Sequence, residues 1–274
     1  MKIGVIVSTY NSPRYLDLTL TALAGQERPA DEILIADDGS GPETGDVIEA
    51  WANKGLPVQR IWHADNGFQK TIAVNRAIAA SASEYLLFTD GDTLHCPWYI
   101  GLSQRLARPG RYLCGSLLRL SEAASANVTR EKVTTKQVFD ARYLRDVGLV
   151  TGVTSWLKTA PLPGALTRGL DAIWPIRKTF NGANASCWRD DALRVNGFDN
   201  DMRYGGLDKE FGVRLQNAGV RGRHIRFSAP VLHLDHGRPY ADPEIRRVNR
   251  GKIAKARREK IVRTENGLAE LALL

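Results

Sequence analysis

Only three cysteines occur in 274 residues, at Cys96, Cys114 and Cys187. An odd, scattered set provides neither a disulfide framework nor a zinc-ligand spacing. A reducing cytoplasm is therefore the expected compartment. No apolar run approaches the ~20 residues of a membrane-spanning helix. The apolar stretch in Met1 to Val7 is too short for a secretory signal and reads as a first strand. There is no GxxxxGK[ST] phosphate loop, no internal repeat and no low-complexity segment. What remains is 43% hydrophobic and 25% charged, the composition of a globular chain with enough apolar residues for a core. The length fits one large α/β domain, or one domain with a small appendage.

Net charge is nearly absent from most of the chain, where acids and bases balance. The net charge is +8, and Glu244 to Arg263 carries +7 of it, as nine Lys/Arg against two Glu. The basic character belongs to a tail. That tail has no aromatic residue from 244 to 263, which argues against nucleic-acid binding.

Four short β-like runs recur at similar spacing: Ile3 to Ser8, Glu32 to Ala36, Val58 to Trp62, and Tyr85 to Thr89. Their nearly continuous apolar character suits strands buried on both faces. Between them lie helical segments. Ser12-Pro13 offers an N-cap and N1 proline to Arg14 to Gly25; Ser40 to Glu43 has capping-box spacing before Val47 to Lys54; Gln69 to Ser81 follows. Strand and helix alternation predicts parallel strands with right-handed crossovers, and ligands at the carboxyl ends of the strands. Residues 120–180 read as less regular loops and short helices. A short helix from Asp190, a longer one over Leu207 to Ala218 and a β-like run over Arg223 to Leu234 complete the body.

The predicted strand ends collect polar and acidic residues. Asp90-Gly91-Asp92 can hold a hard divalent cation against phosphates, and glycine between the acids lets a ligand approach the backbone. An acidic turn is the plain alternative. Asp37-Asp38-Gly39-Ser40 offers carboxylates to a base N–H or a sugar hydroxyl, alongside a helix cap by Ser40. Gly39, Gly41 and Gly45 follow GxGxxxG, not the dinucleotide spacing, and the flanking acids suit no pyrophosphate. An aspartate-phosphatase motif fails because Thr93 comes one residue early. His233-Leu234-Asp235-His236 places two imidazoles where they can ligate Mn²⁺-like ions. Gly205-Gly206-Leu207-Asp208 opens a helix, with Asp208 in its first turn near the positive helix end, a capping acid in the plain reading, and the glycines imply a close approach to the backbone.

These pieces in this order resemble a family 2 inverting glycosyltransferase of the GT-A fold, over roughly residues 1–240. The carriers are Ser8-Thr9-Tyr10-Asn11, Asp37-Asp38-Gly39-Ser40, Asn66-Gly67-Phe68 with Asn75-Arg76-Ala77, and Asp90-Gly91-Asp92. The C-terminal half resembles the galactosyltransferase-type segment of bacterial chondroitin-type polymerases, through Asn181 to Trp188 and Gly205 to Asp208. The resemblance implies a mostly parallel α/β sheet flanked by helices. It implies domain limits of 1–243, divided into a nucleotide-sugar half (1–106) and an acceptor half (107–243), with a basic helical tail over 244–274.

It also implies roles. Ser8, Tyr10 and Asn11 would line the base pocket, with Tyr10 stacking, Thr9 would be a further substrate-binding residue, and Asp38 would take a uracil N–H. Lys70 and Asn75 would lie near diphosphate and ribose, Asp90 would face ribose and donor sugar, and Gly67 and Gly91 would be further substrate-binding residues. Asp92, with His236 and secondarily His233, would hold Mn²⁺ or Mg²⁺, and Asp208 would be the catalytic base. Leu207 stands where the family usually has an acid that helps hold the acceptor. The implied function is transfer of a sugar, from a UDP-sugar donor, to a glycan or lipid-linked acceptor in bacterial surface polysaccharide or lipopolysaccharide synthesis. A sugar-nucleotide nucleotidyltransferase and a non-catalytic sugar-nucleotide binder are the alternatives. For the tail two readings stand: a helix that leaves the body and rests on the anionic inner face of the cytoplasmic membrane, or a solvated helix packed on the body.

Overall fold

The computed structural model describes residues 1–235 and 242–273. The strands are β1 (Ile3–Thr9), β2 (Glu32–Asp37), β3 (Val58–Trp62), β4 (Tyr85–Asp90), β5 (Thr93–His95), β6 (Arg111–Cys114), β7 (Leu117–Arg119), β8 (Ala185–Trp188), β9 (Arg221–His224) and β10 (Val231–His233). The helices are α1 (Pro13–Ala24), α2 (Pro42–Asn53), α3 (Lys70–Ala80), α4 (Tyr99–Leu106), α5 (Glu122–Ala126), α6 (Arg130–Thr134), α7 (Ala141–Asp146), α8 (Val153–Thr159), α9 (Gly164–Ile173), α10 (Arg189–Arg194), α11 (Leu207–Asn217) and α12 (Pro243–Arg258).

Seven strands form one sheet in the order β3-β2-β1-β4-β8-β6-β9. β1 pairs in parallel with β2 and β4, β2 with β3, and β6 with β9; β8 runs antiparallel to its neighbours β4 and β6. The sheet is mostly parallel and flanked by helices, as the α/β alternation predicts. Along β1 the side chains part by twos. Ile3, Val5 and Val7 pack with Leu16, Leu20 and Leu23 of α1, whereas Ile6 packs with Ala73, Ala77 and Ile78 of α3. Every residue of β1 is buried, because helices cover both faces of the sheet.

Register brings the polar strand ends to one level. Ser8 lies opposite Asp90 and Thr9 opposite Asp37. The β-like run expected over Arg223 to Leu234 divides. β9 joins the large sheet, while β10 joins a three-stranded sheet ordered β5-β10-β7. Between them Asp171 accepts from Phe227 N and Ser228 N, which bends the chain away. His233 thereby pairs with Thr93, the residue after Asp92.

Two local expectations are corrected. Ser40 does not cap α2; its hydroxyl accepts from Asn11 N at 2.9 Å, and Gly41 is the N-cap residue. The basic tail does not leave the body. α12 lies along α11, with Asn249 and Ala256 buried. Asn249 Nδ2 donates to the carbonyls of Arg203 and Gly205, and Asn217 Nδ2 to those of Ala256 and Ile261. The glycine pair of the preceding turn has φ of 109° and 90°, and a Cβ there would come within 3.0 Å of Arg246 and Ile253. The partner that needs those glycines bare is α12.

Candidate active site

A cleft of about 1250 Å³ opens at the carboxyl ends of β1 and β4 and reaches across to the start of α11. Asp90 is gripped at its floor. Ser8 Oγ donates to Asp90 Oδ1 at 2.7 Å, and Lys70 Nζ donates to the same oxygen at 2.6 Å. Burial alone pushes the Asp90 carboxyl up, but the charge and hydrogen bond of Lys70, with Ser8 and His233, bring it below its ordinary value. Burial likewise pulls the Lys70 ammonium down, and Asp90, Asp92 and Asp208 more than offset it. The pair is a fixed anion beside a fixed cation.

Gly91 lines the cleft and also has a structural use. A Cβ there would meet Thr9 Oγ1 at 3.0 Å and the Ser8 carbonyl at 3.2 Å, and Gly91 N donates to that carbonyl. The bare position lets the turn after β4 close on the end of β1. It thereby sets Asp92, whose Oδ2 lies 3.7 Å from His233 Nε2. A carboxylate and an imidazole at this spacing suit an Mn²⁺- or Mg²⁺-type ion that takes its other ligands from phosphate oxygens and water. Among the described residues no cluster of three or more His, Cys, Asp or Glu side chains is poised to hold a metal by itself. His236, the other expected ligand, lies outside the described residues.

The residues expected to line a base pocket all border the cleft. Tyr10 is exposed, and its hydroxyl donates to Asp65 Oδ2 at 2.8 Å. Asn11 holds the loops together: its φ is 42°, and its side-chain oxygen accepts from Gly41 N. Asp37 is committed to structure, since it accepts from Ser40 N and pairs with Arg60 at 2.6 Å. Asp38 is buried and faces the cleft; both its oxygens accept from Gln69 N, and His63 Nε2 lies 3.3 Å from Oδ1. Burial pushes its carboxyl up to about 7. Gly67 borders the cleft with φ 73° and donates its N–H to Asp65 Oδ1.

Asn75 is not at the site. It is fully buried; its side-chain oxygen accepts from Phe198 N, and its amide donates to Phe198 O and Asn200. The side chain fastens α3 to the loop after α10, 123 residues away in sequence. Across the cleft, Asp208 sits in the first turn of α11. Its Oδ2 accepts from Gly182 N at 3.2 Å and its Oδ1 from Lys209 N at 3.0 Å. Burial pushes this carboxyl up; the two backbone N–H groups and Lys70 act the other way.

Sequence reading missed the mouth of the cleft. Phe68 meets Tyr204 edge to face at 6.1 Å, and Arg246 lies over the Tyr204 ring at 5.5 Å. Phe68 lay inside a recognised motif, but its partner is 136 positions away, and Arg246 looked like one cation of a tail.

Residues 4–147 match the family Glycosyl transferase family 2, and residues 174–237 match the N-terminal domain of galactosyltransferase. Validoxylamine A glucosyltransferase of Streptomyces hygroscopicus subsp. limoneus is 28% identical over 233 residues, covering 80% of this chain and 48% of that protein. Chondroitin synthase of Escherichia coli is 21% identical over 240 residues, covering 81% of this chain and 33% of that protein. This chain thus spans half or less of each of these relatives. Among solved structures, mannosyltransferase PcManGT from Pyrobaculum calidifontis, in complex with GDP-Man and Mn²⁺, has a TM-score of 0.63 at 20% identity, covering 94% of this chain and 64% of that one. Staphylococcus aureus TarS 1–349 with UDP-GlcNAc also has 0.63, at 16% identity, covering 99% and 69%. The GT-A fold is common to all of these structures. With the first match running over more than half its length, the chain belongs to glycosyl transferase family 2.

Proposed function

We propose that this chain is an inverting, metal-dependent glycosyltransferase that moves a sugar from a UDP-sugar to a hydroxyl of a glycan or lipid-linked acceptor in bacterial surface polysaccharide synthesis. One observation carries the reading: a single cleft sets Asp208 on the wall opposite a strand-end acid pair that is backed by Lys70 and His233. An acceptor hydroxyl beside Asp208 loses its proton to that carboxylate as its oxygen attacks the anomeric carbon. One in-line displacement inverts that centre, and no covalent sugar–enzyme bond is needed. Asp90, fixed by Ser8 and Lys70, orients the ribose and donor sugar. A divalent ion held by Asp92 and His233 supplies positive charge against the diphosphate leaving group. The relatives support the nucleotide-sugar class, since one neighbour is solved with UDP-GlcNAc and another with GDP-Man and Mn²⁺.

UDP-sugars with and without Mn²⁺ test this. UDP at 100 times its dissociation constant is expected to add about 2.7 kcal/mol of stability in a thermal or urea titration. In Asp92→Ala the Mn²⁺-dependent part of that gain disappears. A wild-type gain that is the same with and without Mn²⁺ would overturn the metal role. Pyrophosphate release from a nucleoside triphosphate, in place of UDP release from a UDP-sugar, would overturn the transferase reading.

The base contact predicts a pH dependence. An ionised carboxylate only accepts hydrogen bonds, so uracil N–H is best met by charged Asp38. Burial holds that carboxyl at about 7 in the free protein. A raised carboxyl favours the folded state fully below its unfolded value of ~3.9, and this contribution is lost as pH rises through about 7. Base binding works in the opposite sense and draws the proton off. Uridine, which has no phosphate to titrate, is expected to bind about thirtyfold more weakly at pH 5.5 than at pH 8, on the tenfold-per-unit slope of a single proton. Asp38→Asn is expected to flatten the profile. A wild-type profile flat over that range removes Asp38 from the base pocket.

A further inference from the structure

A second groove, of about 360 Å³, adjoins the cleft on its Asp208 side. Among the described residues four cations line it, Arg177, Lys209, Arg250 and Arg257, and no acid does. Lys209 follows Asp208 in the chain and borders both cavities. Arg250, Ile253, Ala254 and Arg257 share one face of α12, and Arg246 extends that face into the cleft. From Arg246 to Arg257 the helix rises ~16 Å. The neighbouring cations are already spent: Arg247 pairs with Glu244, Lys252 with Asp199 and Arg258 with Glu259. The four groove cations have no carboxylate partner among the described residues. Ile253 and Ala254 lie between them as an apolar floor, of the kind that suits the C–H face of a sugar ring.

Cations crowded on one wall repel one another, and an anion laid among them relieves that repulsion. Solvent-exposed charges act over about 8 Å at physiological salt, so the occupant must lie in the groove itself. The transferase reading assigns the donor diphosphate to the Asp90–Asp92 side, and among the described residues only Lys209 lines both cavities. We propose that the groove holds the charged units of an anionic acceptor glycan, bearing carboxylate or phosphate groups, whose acceptor hydroxyl reaches Asp208. The inference rests on the transferase reading above and adds to it the chemical class of the acceptor. It also gives the basic face of α12 a role while the helix stays packed on the body.

The test titrates the full chain, with UDP present, against two fluorescently labelled hexasaccharides of equal length. One is a galacturonate hexamer, with a carboxylate on every unit, and the other is a neutral glucose hexamer. The anionic hexamer is expected to bind at least tenfold more tightly, to weaken as salt rises, and to lose at least tenfold in R250E/R257E. R250Q/R257Q, which removes charge without reversing it, is expected to lose less, and melting temperatures identify any variant that fails to fold. Equal affinity for the two hexamers, or an anionic affinity indifferent to both variants, overturns the proposal. So does charge-dependent binding to phosphatidylglycerol vesicles without hexamer binding, which would assign the groove to a lipid surface. UDP affinity is read in parallel. If wild type fails to bind UDP, the donor reading falls; if it binds UDP but does not prefer the anionic hexamer, only the acceptor class falls.

Discussion

Asp208→Asn is expected to lower turnover by about 10²–10⁴-fold, the usual cost of removing a general base. UDP-sugar affinity should stay within about twofold, because the residue stands across the cleft from the acids assigned to the donor. The substitution keeps the shape of the side chain. It has one oxygen where the carboxylate had two, so either Gly182 N or Lys209 N loses its acceptor. Asp208→Ala separates that effect, since it frees both N–H groups and also lacks the base. If both variants lose turnover alike, the missing proton acceptor is the cause. If Asp208→Asn keeps near-full turnover, Asp208 only fastens Gly182 to α11. Loss of donor binding would place it on the wrong wall. Burial raises the carboxyl, so wild-type turnover should rise with pH through its titration and then level off. A proton acceptor held nearer to neutrality is also a stronger base for a sugar hydroxyl.

The first half of the chain was legible because its signals are local. Apolar runs such as Ile3 to Ser8 alternate with helices that begin at Pro13 and Pro42, and the strands and helices form within a few residues of the reading. Strand ends can be placed once strands are, which is why Ser8, Asp38, Asp90 and Asp92 emerge at one cleft. Errors arise where a side chain answers to a distant partner. Ser40 had the spacing of a cap, but Asn11 N reaches its hydroxyl first. Asn75 sat in a motif, but Phe198 and Asn200 take its amide. Gly91 and Gly205-Gly206 do mark close approaches, of β1 and α12, and nothing local distinguishes a neighbouring element from a ligand. Residues 120–180 carry five short helices because their burial comes from scattered positions, such as Val133, Val138 and Leu144, that define no sustained period.

Arg214→Met is expected to cost about 3–5 kcal/mol of folding stability, the range for breaking a buried ion pair by removing one partner. Arg214 is fully buried one turn after Glu210 on α11. Its Nε donates to Glu210 Oε1 at 2.7 Å and its Nη2 to Oε2 at 2.8 Å, while Nη1 reaches the Val195 carbonyl. The guanidinium thus ties α11 to the end of α10 and neutralises a carboxylate that has almost no water. Methionine fills much of the same volume and leaves that carboxylate without its counter-charge. The double variant Glu210→Met, Arg214→Met removes both charges together, and is expected to recover most of the loss, because an apolar pair avoids the desolvation that the ion pair must offset. Urea unfolding measures both variants. A single-variant loss below about 1 kcal/mol would mean that water reaches Glu210 after all. The pair also bears on chemistry, since Asp208 lies two residues before Glu210 in the same helix. If the double variant regains stability but not turnover, with donor affinity unchanged, the ion pair positions the N-terminal turn of α11. If turnover returns with stability, packing alone holds Asp208 in place.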